Sequence, residues 1–441
     1  MLVYLGMSLF FFKERTCYAD TPFQIFKLIH FGKFNFEAGR FSTFIVELLP
    51  LCFIKMDLSL KMVLLAFSLS YSLVYYLVFL LMVYVLNDKR SGLLLALTLM
   101  VCTRLSFFYM TTETIQGLAY SVLFFASYRS DRVKNVLIKI IVNALLIVLC
   151  LFAHPITFFT LLFTFIYTAI ERRQWKPKTM LFSIALFFVL YFFKIKSIDT
   201  NSYEGSQFNI AELLNWRSYL VYSYNSTHFF SGHFLRMYSY MVLVALFGVF
   251  DVFRSDKWLA SFCVLFYAAF GLVILINFKD GGAQVLMEKN FMPFAFLSAV
   301  PFLQSIRPHN MVPKTVVLTA VLLISVTGIV HSRSVITQWF EQEYALLGGE
   351  PKKIIDSKSL KVAGVTCNWA MPFETLMLSS LSGPANSKTV YLREHELGGS
   401  IDLTSPTLFL GPDFYQIWDT REFNKRYFNL PPTAYAQRAT D

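Results

Sequence analysis

Apolar runs recur along this chain up to about position 331, and many are of the ~17–25 residues that a helix needs to cross a ~30 Å hydrocarbon core. Within that core a backbone must satisfy its own hydrogen bonds, so each run reads as a helix. Candidate spans lie at about 1–12, 62–86, 92–110, 114–128, 136–153, 156–170, 179–195, 237–253, 258–277, 290–305 and 315–331. The sequence therefore predicts an all-α polytopic membrane protein with about eleven transmembrane helices over 1–331. A small C-terminal α/β external domain follows over 332–441. Composition agrees: 56% of residues are hydrophobic and 15% are charged, where ordinary soluble domains carry roughly 25% charged. A soluble globular fold is excluded.

The net charge of +11 does not signal nucleic acid, because the basic residues are spread through short loops. Asp88-Lys89-Arg90, Arg129 to Lys139, Glu171-Arg172-Arg173 to Lys178, Arg254 to Lys257 and Arg307 to Lys314 alternate with loops nearly free of Lys and Arg, or longer and mixed. Among the lysine- and arginine-poor turns are Thr111-Thr112-Glu113 and His154-Pro155. The positive-inside rule assigns the basic set to the cytoplasm. The external side then receives the loop 13–61, the turn at 111–113, the loop 196–236 and the tail. These loops predict a bacterial-type inner membrane, with the site and the tail on the periplasmic side. Six cysteines occur without Cys-x-x-Cys spacing, which argues against zinc. Cys52, Cys102, Cys150 and Cys263 read as small core residues. Cys17 and Cys367 share the external side, where a disulfide between them is one option.

The first twelve residues would cover only ~18 Å as a helix, too little to span. They also lack the basic flank and cleavage site of a secretory signal. The expectation is a start lying upstream, or a helix that crosses only in part. In the first loop, 23–29 and 41–54 have apolar positions at helical spacing and read as interfacial helices, with a turn over 30–36 between them. In the tail, 360–365, 387–392 and 407–410 read as strands punctuated by Gly, Pro and Ser.

Asp20 is the first candidate for chemistry, as a general base or metal ligand at the external face. Asp-Thr-Pro is equally a good helix start, with Asp as cap and Pro in the first turn. Glu113, at the next external turn, could meet Asp20 as a carboxylate pair; alone it reads as a solvated cap. Arg104 lies inside an apolar run, where charge is costly and usually functional. It could pair with an anionic headgroup or with Glu113, or snorkel to the interface. His154 caps a span and is either a satisfied structural group or a phosphate contact. Lys289, in Glu288-Lys289-Asn290-Phe291-Met292-Pro293, opens a span from the external face and could also meet a phosphate. The loop 196–236 holds Asp199, Glu204 and Glu212 with Trp216, Tyr219, Tyr222 and Tyr224, an aromatic belt or a sugar-stacking surface. No Gly-rich phosphate loop, serine-hydrolase elbow or His-Glu-x-x-His occurs.

The plan resembles the membrane glycosyltransferases of the GT-C fold, which include protein O-mannosyltransferases, aminoarabinose transferases and oligosaccharyltransferases. Tyr18-Ala19-Asp20-Thr21-Pro22 with two following interfacial helices is similar to that superfamily's catalytic loop. Glu113 falls where many members carry a second carboxylate. Glu288-Lys289-Asn290-Phe291-Met292-Pro293 is similar to its Glu-Arg-Tyr-x-x-Pro segment, with Lys for Arg and Asn for Tyr. Many members have Asp-Glu where this chain has a single Asp.

The resemblance implies an inverting glycosyltransferase. It would move a sugar from a polyprenyl-phosphate donor to a glycan, lipid or protein acceptor at the outer face of the membrane. Asp20 would be the general base, and Lys289, Arg104 and His154 would contact the donor phosphate. A divalent metal is compatible with this reading but not required. The competing readings are a flippase or transporter for lipid-linked sugars, which would want inverted repeats and no Asp20, and a polysaccharide polymerase working from the 196–236 loop. No repeat is seen in the sequence. Sugar, acceptor, subfamily and oligomeric state are not legible.

Overall fold

The computed structural model describes residues 1–36, 39–111, 113–172, 177–197, 215, 217, 235–277, 284–305, 311–356, 368–393, 402–411 and 416–437. The acids and aromatics of the 196–236 loop, the strand expected at 360–365 and Cys367 lie outside these residues.

The described chain is mostly helical. The apolar runs give α1 (Leu2–Phe10), α2 (Phe12–Thr16), α3 (Thr21–Phe31), α4 (Phe44–Lys55), α5 (Leu60–Leu80) and α6 (Lys89–Met100). They continue as α7 (Glu113–Arg129), α8 (Val136–Leu151), α9 (Thr157–Arg172), α10 (Pro177–Ser197), α11 (Leu235–Phe253) and α12 (Lys257–Asn277). α13 (Gln284–Phe291), α14 (Pro293–Gln304), α15 (Met311–Leu346) and α16 (Met371–Ser380) follow. Four described helices are long and apolar enough to cross a membrane: Leu60–Val85, Leu235–Phe253, Lys257–Ile276 and Val312–Leu346. Large apolar side chains face outward from them and from α8, among them Leu137, Ile141, Leu246, Leu265 and Val316. Apolar faces of that extent require lipid or another apolar cover. The chain is thus a helical membrane protein.

Interior contacts are close. An added Cβ at Gly248 would lie 2.7 Å from the Phe302 backbone nitrogen. That glycine lets α11 press against α14, and small residues serve this purpose widely between membrane helices.

Three expected spans differ from the sequence reading. The run 92–110 stays helical only to Met100, and 101–110 folds as turns, with Cys102 at φ +66°. Its backbone is bonded from outside the segment. The Glu288 carboxylate accepts from the Arg104 amide at 2.8 Å, the Ser106 amide at 2.5 Å and the Ser106 hydroxyl at 2.6 Å. Arg15 donates to the Phe107 carbonyl at 2.8 Å. Irregular backbone survives at membrane depth only when buried in protein and satisfied in this way. The run 290–305 is split at Met292, where Pro293 begins a new helix as its fixed φ favours. α15 runs for 36 residues, or ~54 Å at 1.5 Å per residue, so its last turns project beyond a ~30 Å core.

The first loop also differs. α4 keeps Phe44 and Leu48 exposed, as an interfacial helix should. α3 exposes only its last apolar residue, Phe31: Thr21 to Phe23 and Ile25 to Ile29 are all buried. Phe26 is ringed by Phe373, Phe409, Trp418, Phe423 and Phe428, with centroids 5.0–6.1 Å away. The tail covers the apolar face that the sequence assigned to lipid. Cys52 points outward rather than into a core, and Cys17 is a buried free thiol.

The tail forms β1 (Lys352–Asp356), β2 (Thr389–Arg393), β3 (Leu408–Gly411), β4 (Gln416–Asp419) and β5 (Ala436–Gln437). β1 pairs in parallel with both β2 and β5, and α16 makes the β1-to-β2 crossover. β3 and β4 form a separate antiparallel pair. The strands expected at 387–392 and 407–410 are β2 and β3. α16 is buried from Met371 to Ser380. Its Met371, Phe373, Leu376 and Leu378 belong to the same continuous core as the helical bundle.

Candidate active site

α2 ends at Thr16, and the buried turn Cys17-Tyr18-Ala19 leads to Asp20. Ala19 sits at φ +55°, a left-handed conformation that costs a residue with a Cβ ~1–2 kcal/mol. Its amide donates to the Glu374 carboxylate at 2.5 Å, which fixes the turn. Asp20 occupies the cap position of α3, yet its side chain makes no cap hydrogen bond. Instead Oδ2 accepts from the Tyr109 hydroxyl and Oδ1 from Trp369 Nε1 at 2.6 Å. The carboxylate is thus aimed by the irregular 101–110 segment on one side and by the tail on the other. Desolvation pushes its pKa up; the two donors and the charge of Lys289 oppose this, and the charge of Glu113 adds to it.

Cations gather at the same end of the bundle. His154, in the turn between α8 and α9, is buried and feels Lys289, Arg40 and Lys194. Burial first, then those three charges, hold its pKa well below the usual value, so it is a neutral imidazole. Its Nδ1 accepts from the Ile156 amide at 3.2 Å, which leaves Nε2 carrying the hydrogen. His154 is therefore a hydrogen-bond donor, not the cation that a phosphate contact first suggests. Lys289 acts on both Asp20 and His154 and so joins the two groups. Lys194 is 2% exposed, with Nζ 5.4 Å from the Phe152 ring.

Glu113 opens α7 and is buried, not a solvated cap. Arg40 bonds its carboxylate at 2.5 Å. The two acids act on one another, but the partner of Glu113 is Arg40. No group of three or more His, Cys, Asp or Glu side chains able to hold a metal ion occurs among the described residues.

Arg104 stands elsewhere. Its guanidinium lies 5.2 Å from the Tyr238 ring, next to Glu288 and Tyr240. An added Cβ at Gly328 would be 2.5 Å from its Nε. Its neighbours are these residues rather than Glu113, and it belongs to the group that holds the 101–110 turns. Glu288, the first residue of the quoted motif, has the same structural task.

The structure thus brings together Asp20, Glu113, His154 and Lys289. It adds four residues that sequence reading passed over: Arg40, Tyr109, Lys194 and Trp369. Lys194 did carry a signal, a lysine at the external end of a predicted span. Trp369 carried none, since it reaches Asp20 from 349 positions away. No family model, curated protein or solved structure matches this chain.

Proposed function

We propose that the chain is a membrane glycosyltransferase that takes a sugar from a polyprenyl-phosphate donor at the outer face of the membrane. The observation that supports this most is a partly accessible carboxylate, Asp20, held by two donors beside a group of cations. The reading includes about eleven spans, a bacterial-type inner membrane and a periplasmic site.

In this mechanism an acceptor hydroxyl attacks the anomeric carbon from the face opposite the phosphate. Asp20 takes the hydroxyl proton as the new C–O bond forms. The bond to phosphate breaks, its electron pair leaves with the lipid phosphate, and the anomeric centre inverts. A correctly placed base is worth ~10²–10⁴-fold in rate. Lys289, Lys194 and Nε2–H of His154 face the developing phosphate charge. Such preorganised groups are usually the largest catalytic contribution. Arg40 is tied to Glu113, so this pair sets the field rather than moving protons. The lipid tail stays in the bilayer, and only the head needs polar partners.

Asp20→Asn tests the reading. Purified variant and parent are compared for sugar transfer from a polyprenyl-phosphate sugar, with insertion and thermal stability as controls. The variant should insert normally and lose at least ~10²-fold in rate. Full transfer by it would remove the base assignment. Movement of the lipid-linked sugar across the bilayer without transfer would favour a flippase.

A further inference from the structure

Behind the Ala19–Asp20 turn lies a second pair of carboxyls that the proposed chemistry does not use. Glu343, on the projecting end of α15, and Glu374, on α16, are both fully buried, at 0% exposure. Glu374 accepts from the Ala19 amide at 2.5 Å through Oε1 and from Trp339 Nε1 at 3.2 Å through Oε2. The Glu343 carboxyl faces Glu374 within hydrogen-bonding reach. Neither Glu343 oxygen has a hydrogen-bonded donor among the described residues. Two carboxylates are acceptors only, so they can bond one another only if one carries a proton. An unshared pair of charges at this depth would be strongly destabilising.

We propose that Glu343 and Glu374 share a single proton, and that this shared proton locks the Ala19–Asp20 turn and makes Glu374 a positioning residue for Asp20. The proposal rests on Asp20 as the base. With the proton on Glu343, Glu374 is a carboxylate with three donors, Glu343 O–H, Trp339 N–H and Ala19 N–H. Loss of that proton to solvent leaves two facing anions, which must separate. The Ala19 amide is then released, and with it the strained turn that aims Asp20. Because Glu343 and Glu374 come from α15 and α16, the lock closes only when the C-terminal region is seated.

The titratable groups acting on the pair are Lys13, Cys17 and Asp20. Burial, first of all, pushes Glu374 up to about 7, against the hydrogen bonds from Glu343, Ala19 and Trp339. In two interacting carboxyls that value marks the first proton to leave; the shared proton is the second, so the stabilisation it gives is present through neutrality and fades only as pH rises above that value. The turn should therefore loosen on the alkaline side, opposite in sign to the loss of a base by protonation.

Amide exchange of the peptide containing Ala19, corrected for intrinsic rates, tests this on the full chain in lipid nanodiscs. The parent should keep its protection through neutrality and lose ~10-fold or more at alkaline pH, where the shared proton leaves. Glu343→Gln keeps a neutral donor and has no proton to lose, so its protection should be flat with pH. Asp20→Asn should keep the alkaline loss of protection, with its onset moved to lower pH because the Asp20 charge raises Glu374, while losing transfer, which separates this proposal from the base assignment. Infrared spectra of the parent at neutral pH should also contain a protonated-carboxyl band that Glu343→Gln removes. A parent without that band, or a Glu343→Gln variant with the parent's pH profile, overturns the proposal.

Discussion

At the scale of single residues, Asp20 departs most from its local reading. Asp-Thr-Pro is a helix start, and the backbone obeys it, but the side chain turns from the cap to Tyr109 and Trp369. Those donors hold the carboxylate in one orientation, and burial keeps its pKa raised. A base works only when ionised, so transfer should fall as pH drops through a value above the ordinary carboxylate range. The positive charge of Lys289 favours the ionised form. Lys289→Met should therefore raise the Asp20 pKa further and move the acid limb of kcat/KM to higher pH, measured as a pH–rate profile. An acid limb that stays in place would separate Lys289 from Asp20. Lys194→Ala tests the phosphate side: removing one such group should cost ~10²-fold in kcat while insertion is preserved.

At the scale of elements, the irregular 101–110 segment replaces half of an expected span. Its residues are apolar enough for a helix, and the sequence there predicts one. Glu288 and Arg15, distant in the chain, supply the donors and acceptors that let it leave the helix. That departure is what delivers Tyr109 to Asp20. Close helix packing has the same tertiary character. Gly248 touches the Phe302 backbone, which cannot move aside as a flexible side chain would. Gly248→Val should force α11 from α14 and destabilise the bundle by ~1–3 kcal/mol, read as a lower Tm in detergent. An unchanged Tm would mean that the two helices can slide apart without loss.

At the scale of the whole molecule, the tail is part of the Asp20 end of the bundle rather than an appendage. It shares the bundle core, buries α3 and contributes Trp369 to Asp20. A chain ending after Leu346 should lose transfer entirely. It should also expose Phe23, Phe26 and Ile29 and aggregate in detergent, which size-exclusion chromatography would show. A monodisperse, active truncation would contradict the shared core.

Long apolar runs and alternating loop charge were enough to fix a helical membrane protein, because burying bare backbone in lipid leaves few alternatives. Loop charge also led to a reading in which Asp20, Glu113, His154 and Lys289 lie in loops on one side, with the 196–236 loop between the last two. What sequence could not decide was the partner of each charge. Glu113 meets Arg40, Arg104 meets Tyr238 and Glu288, and Glu374 meets Ala19. Those pairings depend on which helices pack together, and side chains hundreds of positions apart leave no local signature of meeting. The sequence by itself determined the kind of protein and the end at which polar groups collect; tertiary packing alone decided which of them face one another, since the energy of a buried charge lies in its neighbours.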